Sequence, residues 1–179
     1  MSRGFVKEDD AQQPPIVPPR AALPPNTPNY VTPRGLEQLR QELAELEAER
    51  ARAEANRDND ADRTRLLSVY NGRLSALNER IASARLVDPR AQAADEVRFG
   101  ATVTLRTLSS SNPKAAKPGL ERTFTIVGVD EASVAEGKVA FVAPIARAVQ
   151  GARPGQVLTL RLGPNEEEVQ VLRVSYDGA

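Results

Sequence analysis

The chain has 179 residues and contains neither cysteine nor histidine. This excludes disulfides, thiolate metal sites and the side chains most often used as nucleophiles or general bases. Carboxylates are therefore the main candidates for chemistry, and a conventional enzyme is not expected. The 24 basic and 24 acidic residues balance, so electrostatic recognition must be local. No signal peptide or long apolar run occurs, which predicts a cytoplasmic protein without a membrane-spanning segment.

Residues 1–29 form a proline-rich leader. They hold seven of the 14 prolines and few side chains that pack in a core. This composition predicts a disordered or polyproline-like segment. Recognition of its PxxP steps by another protein is the less favoured alternative.

Residues 30–87 carry the spacing of an antiparallel helical hairpin. Apolar side chains recur at alternating intervals of three and four, the period of a helix that faces one partner. In the first arm they are Leu36, Leu39, Leu43, Leu46 and Ala53, with Arg50 in the remaining slot. In the second arm they are Leu67, Tyr70, Leu74, Leu77, Ile81 and Ala84. A mirror at Asp60 pairs the two sets, which predicts one hairpin with its tip near that residue.

The ends and the charges of the hairpin follow from the same stretch. Thr32 is placed to cap the first helix ahead of Pro33, and Val87-Asp88-Pro89 ends the second. The first arm carries five glutamates from Glu37 to Glu49, and the second carries five arginines from Arg63 to Arg85. These opposite charges are expected to flank the seam and favour antiparallel pairing.

Three carboxylates crowd the tip, at Asp58, Asp60 and Asp62. With Asp60 or Asp58 as the N-cap and Asp62 in the first turn, they would complement the dipole of the second helix. As oxygen ligands at the end of a projecting rod they would share a Mg²⁺ held mainly by another molecule. Capping is the commoner role of such residues.

Beyond a polar linker at residues 88–96 the apolar period changes to two, which is typical of strands. The alternating residues are Val103 and Leu105; Phe124 and Ile126; Val139 and Phe141; Val157, Leu158 and Leu160; and Val169, Val171 and Val174. One short helix is predicted from Pro144. Residues 97–179 are therefore expected to form a small antiparallel β domain with one helix, and the whole chain an α+β protein.

Several blocks between Tyr30 and Tyr176, taken in order, resemble the GreA/GreB family of transcription elongation factors. In the hairpin they are Tyr30-Val31-Thr32-Pro33-Arg34-Gly35, Asn71-Gly72-Arg73-Leu74 and Val87-Asp88-Pro89. In the second domain they are Val97-Arg98-Phe99-Gly100-Ala101-Thr102-Val103, Ile126-Val127-Gly128-Val129-Asp130-Glu131-Ala132 and Pro144-Ile145-Ala146-Arg147-Ala148. The opening Met1-Ser2-Arg3-Gly4-Phe5, with Glu8-Asp9-Asp10, is similar to the GreB branch.

The resemblance implies an N-terminal coiled-coil hairpin and a C-terminal FKBP-like domain that act, as a monomer, on bacterial RNA polymerase. The C-terminal domain would dock at the rim of the secondary channel through the segment of Pro144, Ile145 and Arg147, and the hairpin would enter the channel. The tip carboxylates would help hold a Mg²⁺ that activates water to cleave the 3′ end of backtracked RNA. The protein would have no cofactor of its own, and any cleavage would use the polymerase active site.

Two groups of these residues have a second interpretation. Arg57, Arg63 and Arg65 would contact RNA phosphates, or would only neutralise the interleaved carboxylates, which is the interpretation that we favour. Ile145 lies on one helical face with Val149, a pattern more typical of a core than of an interface.

The sequence departs from the family at the tip. The usual Gly-Asp-x-x-Glu-Asn-like motif is replaced by Arg57-Asp58-Asn59-Asp60-Ala61-Asp62-Arg63. The hairpin is also shorter by roughly a dozen residues, which removes about 9 Å of reach at about 1.5 Å per residue. A cleavage-inactive regulator of the secondary channel, acting in a DksA-like way, is therefore the main alternative. A generic coiled-coil adaptor is another. A prolyl isomerase is disfavoured because Phe99, Phe124, Phe141 and Tyr176 are expected in the core.

Overall fold

The computed structural model describes residues 17–176, and its element order confirms the α+β prediction. The hairpin consists of α1, Pro33–Ala55, and α2, Asp60–Ser83. At its base the short strands β1, Asn29–Val31, and β2, Ala84–Leu86, pair in parallel. No helix within residues 17–176 is both long and apolar enough to cross a membrane.

The hairpin core lies in the part nearest the base. Its buried members are Val31, Leu39, Leu46 and Leu77, and the side chains packed around them are Leu36, Leu43, Tyr70, Leu74, Ile81 and Ala84. All of these except Val31 were predicted from the heptad spacing, which is confirmed here. Towards the tip, the mirror at Asp60 places Arg50 opposite Tyr70. In the structure Nε of Arg50 donates a hydrogen bond of 2.7 Å to Oδ1 of Asn71, the neighbour of Tyr70.

The start of α1 is as predicted, and the end of α2 is not. Thr32 caps α1, and its Oγ1 accepts from the Gly35 N–H at 2.9 Å. The second helix ends at Ser83 instead of Val87, because β2 leaves the helical path to pair with β1. Asn29 of β1 supports this early end, since its Nδ2 donates to the Arg80 carbonyl of the last turn at 2.9 Å.

The opposite charges of the two arms act on each other without direct ion pairs in the described part of the chain. Besides the hydrogen bond from Arg20, the charge of Arg73 in α2 lowers the pKa of the Glu42 carboxyl in α1. Within residues 17–176 no glutamate of α1 forms an ion pair with an arginine of α2. Glu42 of α1 pairs with Arg20 at 2.7 Å, and Arg80 of α2 pairs with Asp130 of the C-terminal domain at 3.0 Å. Heptad spacing shows which residues face the seam, but it contains no information on partners outside the hairpin.

Part of the proline-rich leader lies on the hairpin. Residues 1–16, which share the prediction of disorder, lie outside the described residues. Residues 17–28, called the strap below, contact both the hairpin and the C-terminal domain. Arg20 holds this part of the leader in place, because its guanidinium donates hydrogen bonds to Glu42 and to Asp130.

The C-terminal domain is a five-stranded sheet in the order β5-β4-β3-β7-β6. The strands are β3 Thr102–Ser110, β4 Glu121–Val127, β5 Lys138–Ala140, β6 Val157–Leu162 and β7 Asn165–Ser175. All neighbours are antiparallel except β4 and β5, which pair in parallel and so differ from the predicted antiparallel arrangement. The predicted helix α3, Pro144–Val149, packs on the sheet near β6 and buries Ala146 and Val149.

Candidate functional site

The tip of the hairpin is organised by an asparagine and not by an aspartate. Asn59 caps α2, and its Oδ1 accepts from the backbone N–H groups of Ala61 at 3.1 Å and Asp62 at 3.2 Å. Its Nδ2 donates to Oδ2 of Asp62 at 2.8 Å. Asp58 and Asp60, the predicted caps, therefore do not cap the helix. Asp62 lies in the first turn as predicted, and Asp60 lies there too, where their charge complements the helix dipole.

The cap gives a first testable prediction. Asn59→Ala should destabilise the hairpin by about 1 kcal/mol, because two backbone N–H groups lose their acceptor. The helical signal of α2 should fray from the tip while the sheet keeps its stability. Urea unfolding followed by circular dichroism measures the effect. Ser68→Ala, on the exposed side of α2, is the matched control, and an equal loss there would contradict the capping role.

The three predicted carboxylates are exposed but are not equivalent. Asp60 is 83% exposed and forms an ion pair of 2.8 Å with Arg63, and Asp62 is held by Asn59. The Asp58 side chain makes no hydrogen bond or ion pair within the described part of the chain, while its backbone N–H donates to Oδ1 of Asn56 at 2.9 Å. Asp58 is thus the carboxylate with the fewest intramolecular restraints.

The tip does not form a complete metal site. Among residues 17–176 no group of three or more acidic side chains converges as a cation site would require. The available donors are carboxylate oxygens, the atoms that Mg²⁺ prefers. Any ion bound at the tip would need further ligands from another molecule or from water, and the shared Mg²⁺ remains a prediction.

The three tip arginines differ in their contacts. Arg63 folds back on the loop, where its Nη1 donates to the Asn56 carbonyl at 3.2 Å and its Nη2 pairs with Asp60 at 2.8 Å. Arg57 and Arg65 are exposed and form no ion pair within residues 17–176. Arg63 thus has the neutralising role that we favoured, while the other two remain accessible.

The predicted docking residues present a mixed surface. Pro144 and Arg147 of α3 are exposed, whereas Ile145 is half-buried against the core of the sheet. Arg147 also lines a groove of about 220 Å³, together with Arg98, Gln150 and aromatic side chains. The exposed face of α3 therefore offers one cation and one rigid proline beside an aromatic groove.

The aromatic groove was not predicted from the sequence. Tyr30, Phe99 and Phe141 contact one another with ring centroids 5.5 to 5.8 Å apart. Tyr30 belongs to the hairpin base, so the cluster joins the two parts of the molecule. Phe99 and Phe141 pack on the core but also line the groove, which differs from the expectation that the core would occupy them. No local pattern indicates that Tyr30 would meet them.

A second connection, also missed, links α1 to the C-terminal domain. Oγ1 of Thr32 donates to Oε2 of Glu131 at 2.6 Å while accepting from the Gly35 N–H. Both Thr32 and Glu131 are buried. A Cβ at Gly35 would lie 2.7 Å from Oε2 of Glu131. The absence of a side chain at Gly35 therefore makes room for this carboxylate.

The strap adds a network of charges at the same base. Arg20 donates to Glu42 with two hydrogen bonds, and this contact lowers the pKa of the Glu42 carboxyl below its ordinary value of 4.5. Because the pKa is lower in the folded protein than in the unfolded chain, the stability from this pair is present above about pH 4.5 and is lost as the pH falls through the lowered value. Glu42 in turn raises the pKa of Arg20.

Comparison with known proteins agrees with this architecture. The family model described as "Transcription elongation factor, GreA/GreB, C-term" matches residues 92–176. Transcription elongation factor GreB of Neisseria meningitidis serogroup B is 33% identical over 164 residues, which cover 84% of this chain and 95% of that protein. Transcription elongation factor GreA of Ralstonia nicotianae is 34% identical over 161 residues, covering 82% of this chain and 96% of that protein.

Among solved structures, that of Thermus aquaticus Gfh1 matches with a TM-score of 0.38 and 21% identity, covering 82% of this chain and 97% of that one. The described residues form a helical hairpin with an acidic tip, joined to a small sheet domain. The sequence matches are more specific. The chain belongs to the GreA/GreB family of transcription elongation factors.

Proposed function

We propose that the protein binds bacterial RNA polymerase through its C-terminal domain and inserts the hairpin into the secondary channel, where it regulates elongation. The observation that carries this proposal is the placement of the exposed carboxylates. They lie at the far end of a rod whose first helix has 23 residues, which corresponds to a length of about 34 Å. The opposite end is joined to the sheet domain. In this proposal the protein acts as a monomer in the cytoplasm, where transcription takes place.

The tip supplies ligands and charge but no nucleophile. Asp58, Asp60 and Asp62 would contribute oxygen ligands to a Mg²⁺ beside the polymerase active site, and such an ion activates water and stabilises the charge of a reacting phosphate. Any transcript cleavage would then occur in the polymerase, with this protein as an accessory factor and not an enzyme. Arg57 and Arg65 are the exposed candidates for contact with the RNA backbone.

Docking is assigned to the exposed face of α3. Pro144 and Arg147 are accessible there, and Ile145 supports the helix from within. Arg147→Glu should weaken polymerase binding without unfolding the domain, since the side chain is exposed. Arg161→Glu on the edge strand β6, where the side chain is also exposed, is the matched control for charge.

A cleavage-inactive regulator is the second candidate, and the altered tip motif favours it. The shortened hairpin is expected to lack about 9 Å of reach, whereas direct ligation requires an oxygen within about 2.1 Å of Mg²⁺. Such a factor would occupy the channel and compete with other channel binders without activating water.

A stalled, backtracked elongation complex tests both candidates. Purified protein is added at increasing concentration, release of the 3′ RNA fragment is measured, and binding to the same complex is followed separately by fluorescence anisotropy. Release that saturates together with binding supports the cleavage factor. Binding without release supports the inactive regulator. Absence of binding would overturn both and leave the coiled-coil adaptor. A proline-isomerisation assay on the same sample examines the aromatic groove.

A further inference from the structure

The strap touches every part of the molecule that meets at the hairpin base. Arg20 Nη1 donates to Oε1 of Glu42 in α1 at 2.7 Å, and its Nη2 donates to Oε2 of Glu42 and to Oδ1 of Asp130, each at 3.0 Å. Arg80 of α2 donates to Oδ2 of Asp130 at 3.0 Å and also to the backbone carbonyl of Ala21 in the strap. One aspartate of the C-terminal domain therefore binds an arginine from the strap and an arginine from the hairpin.

The side chains of this network are shielded enough from water to hold the strap, the hairpin and the C-terminal domain in one arrangement. The side chains of Arg20, Asp130 and Arg80 are only 20%, 10% and 13% exposed. Ion pairs at this depth are screened less than surface pairs, and bonds to a shared carboxylate restrict both guanidinium groups at once. Removal of Arg20 would leave Asp130 with Arg80 alone, and it would free Glu42.

A second contact seats the strap on α2 independently of charge. A Cβ at Gly72 would lie 2.9 Å from Cγ2 of Val17, so the helix accepts the strap only where it lacks a side chain. The five prolines of the strap restrict its unbound conformations and so reduce the entropy lost when it binds. They are Pro18, Pro19, Pro24, Pro25 and Pro28. An open groove of about 630 Å³ remains between strap, hairpin and C-terminal domain. The strap is thus held by a few specific contacts and not by a continuous core.

We propose that the strap is a conformational device that sets the angle between the hairpin and the C-terminal domain, and that its release lets the hairpin swing about the base. The connections that do not involve the strap, from Thr32 to Glu131, from Arg80 to Asp130 and from Tyr30 to Phe99 and Phe141, keep the two parts attached. The joint is therefore expected to act as a hinge and not to come apart. This device is independent of polymerase binding.

The absence of cysteine allows a direct test in the full-length chain. Ala61→Cys at the tip and Val134→Cys, at a fully exposed site of the C-terminal domain, provide two positions for spin labels. Pulsed dipolar spectroscopy then gives the distribution of distances between the two labels. The otherwise unchanged protein should show one narrow population.

Two variants release the strap for different physical reasons. Arg20→Ala removes the charge network. Gly72→Ala places a methyl group 2.9 Å from Cγ2 of Val17, although alanine itself favours the helix over glycine. Both should broaden the distribution or add a second distance, with helical content unchanged. Arg161→Ala, which removes an exposed ion pair with Glu166, is the matched control.

The outcomes separate clearly. Broadening in both strap variants, with the control unchanged, supports the proposal. An unchanged distribution in Arg20→Ala and Gly72→Ala would overturn it, as would equal broadening in Arg161→Ala. If Arg20→Ala alone loses helical content, Gly72→Ala decides the question, because it perturbs the strap while favouring the helix.

Discussion

The triple variant Asp58→Ala, Asp60→Ala, Asp62→Ala should lose stimulated transcript cleavage while it still binds RNA polymerase. Loss of an electrostatic contact to a reacting centre typically reduces a rate by about 10²-fold to 10³-fold, so removal of all three carboxylates should leave no measurable stimulation. Binding should persist because the tip lies at the far end of the hairpin from α3. The measurement is release of the 3′ fragment from a backtracked complex at saturating factor. This prediction applies if the unmodified protein stimulates cleavage.

A matched control removes the same charge from the shaft of the hairpin. Glu37, Glu45 and Glu47 of α1 are exposed, and their triple alanine variant alters the net charge by the same three units. It should retain cleavage. Retained cleavage in the tip variant would contradict the tip assignment, and equal loss in both variants would point to overall charge instead.

Among single substitutions at the tip, the loss of cleavage should be largest for the carboxylate with the fewest contacts inside the protein. Asp58→Asn should have the largest effect, because Asp58 makes no side-chain contact among the described residues and is free to turn towards a metal ion. Asp60 and Asp62 are partly engaged by Arg63 and Asn59. Asparagine is preferred to alanine for these single changes, because it preserves side-chain size at the start of α2 and so separates metal ligation from helix stability.

Local chemistry made much of the architecture predictable. Heptad spacing identified the residues around Leu77, the Thr32-Pro33 step identified the start of α1, and Pro144 identified the start of α3. The choice of Asn59 as the cap was harder, because several good capping residues adjoin one another at the tip and only the geometry of the turn selects one of them.

Contacts between distant parts of the chain could not be predicted in the same way. Thr32 and Glu131 are 99 positions apart, and Arg20 and Asp130 are 110 apart. Each of these residues had a sufficient local explanation. Thr32 could be read as a helix cap, Asp130 and Glu131 as surface acids, and Arg20 as a cation in a proline-rich leader. The resemblance marked the block containing Asp130 and Glu131 but did not indicate what it touches. The base of the hairpin is therefore the part of the site that only the structure defines.

The buried carboxylate at that base should be important for stability. Glu131→Ala removes the acceptor of the Thr32 hydroxyl. It also removes the more buried of the two carboxylates beside the Lys138 ammonium. Lys138 Nζ lies 3.8 Å from Oε1 of both Glu131 and Glu136, and it is buried without a hydrogen-bond partner. Breaking a buried ion pair from one side typically costs about 3 kcal/mol. Most of this cost is expected here, because Lys138 keeps only Glu136, whose side chain is half exposed to water. Urea unfolding monitored by circular dichroism should show that loss, with the hairpin and the sheet unfolding less cooperatively.

A double variant distinguishes the buried charge from the lost hydrogen bond. If the unpaired ammonium causes most of the loss, Glu131→Ala with Lys138→Met should recover about 1 kcal/mol or more, since residues in contact have coupling energies of this size. Glu121→Ala, which breaks the exposed pair with Arg106, should cost at most about 1 kcal/mol. A Glu131→Ala protein as stable as the Glu121→Ala control would contradict the role of Glu131 at the joint. Loss of stability without recovery in the double variant would assign the effect to the Thr32 hydrogen bond, and thus to the start of α1.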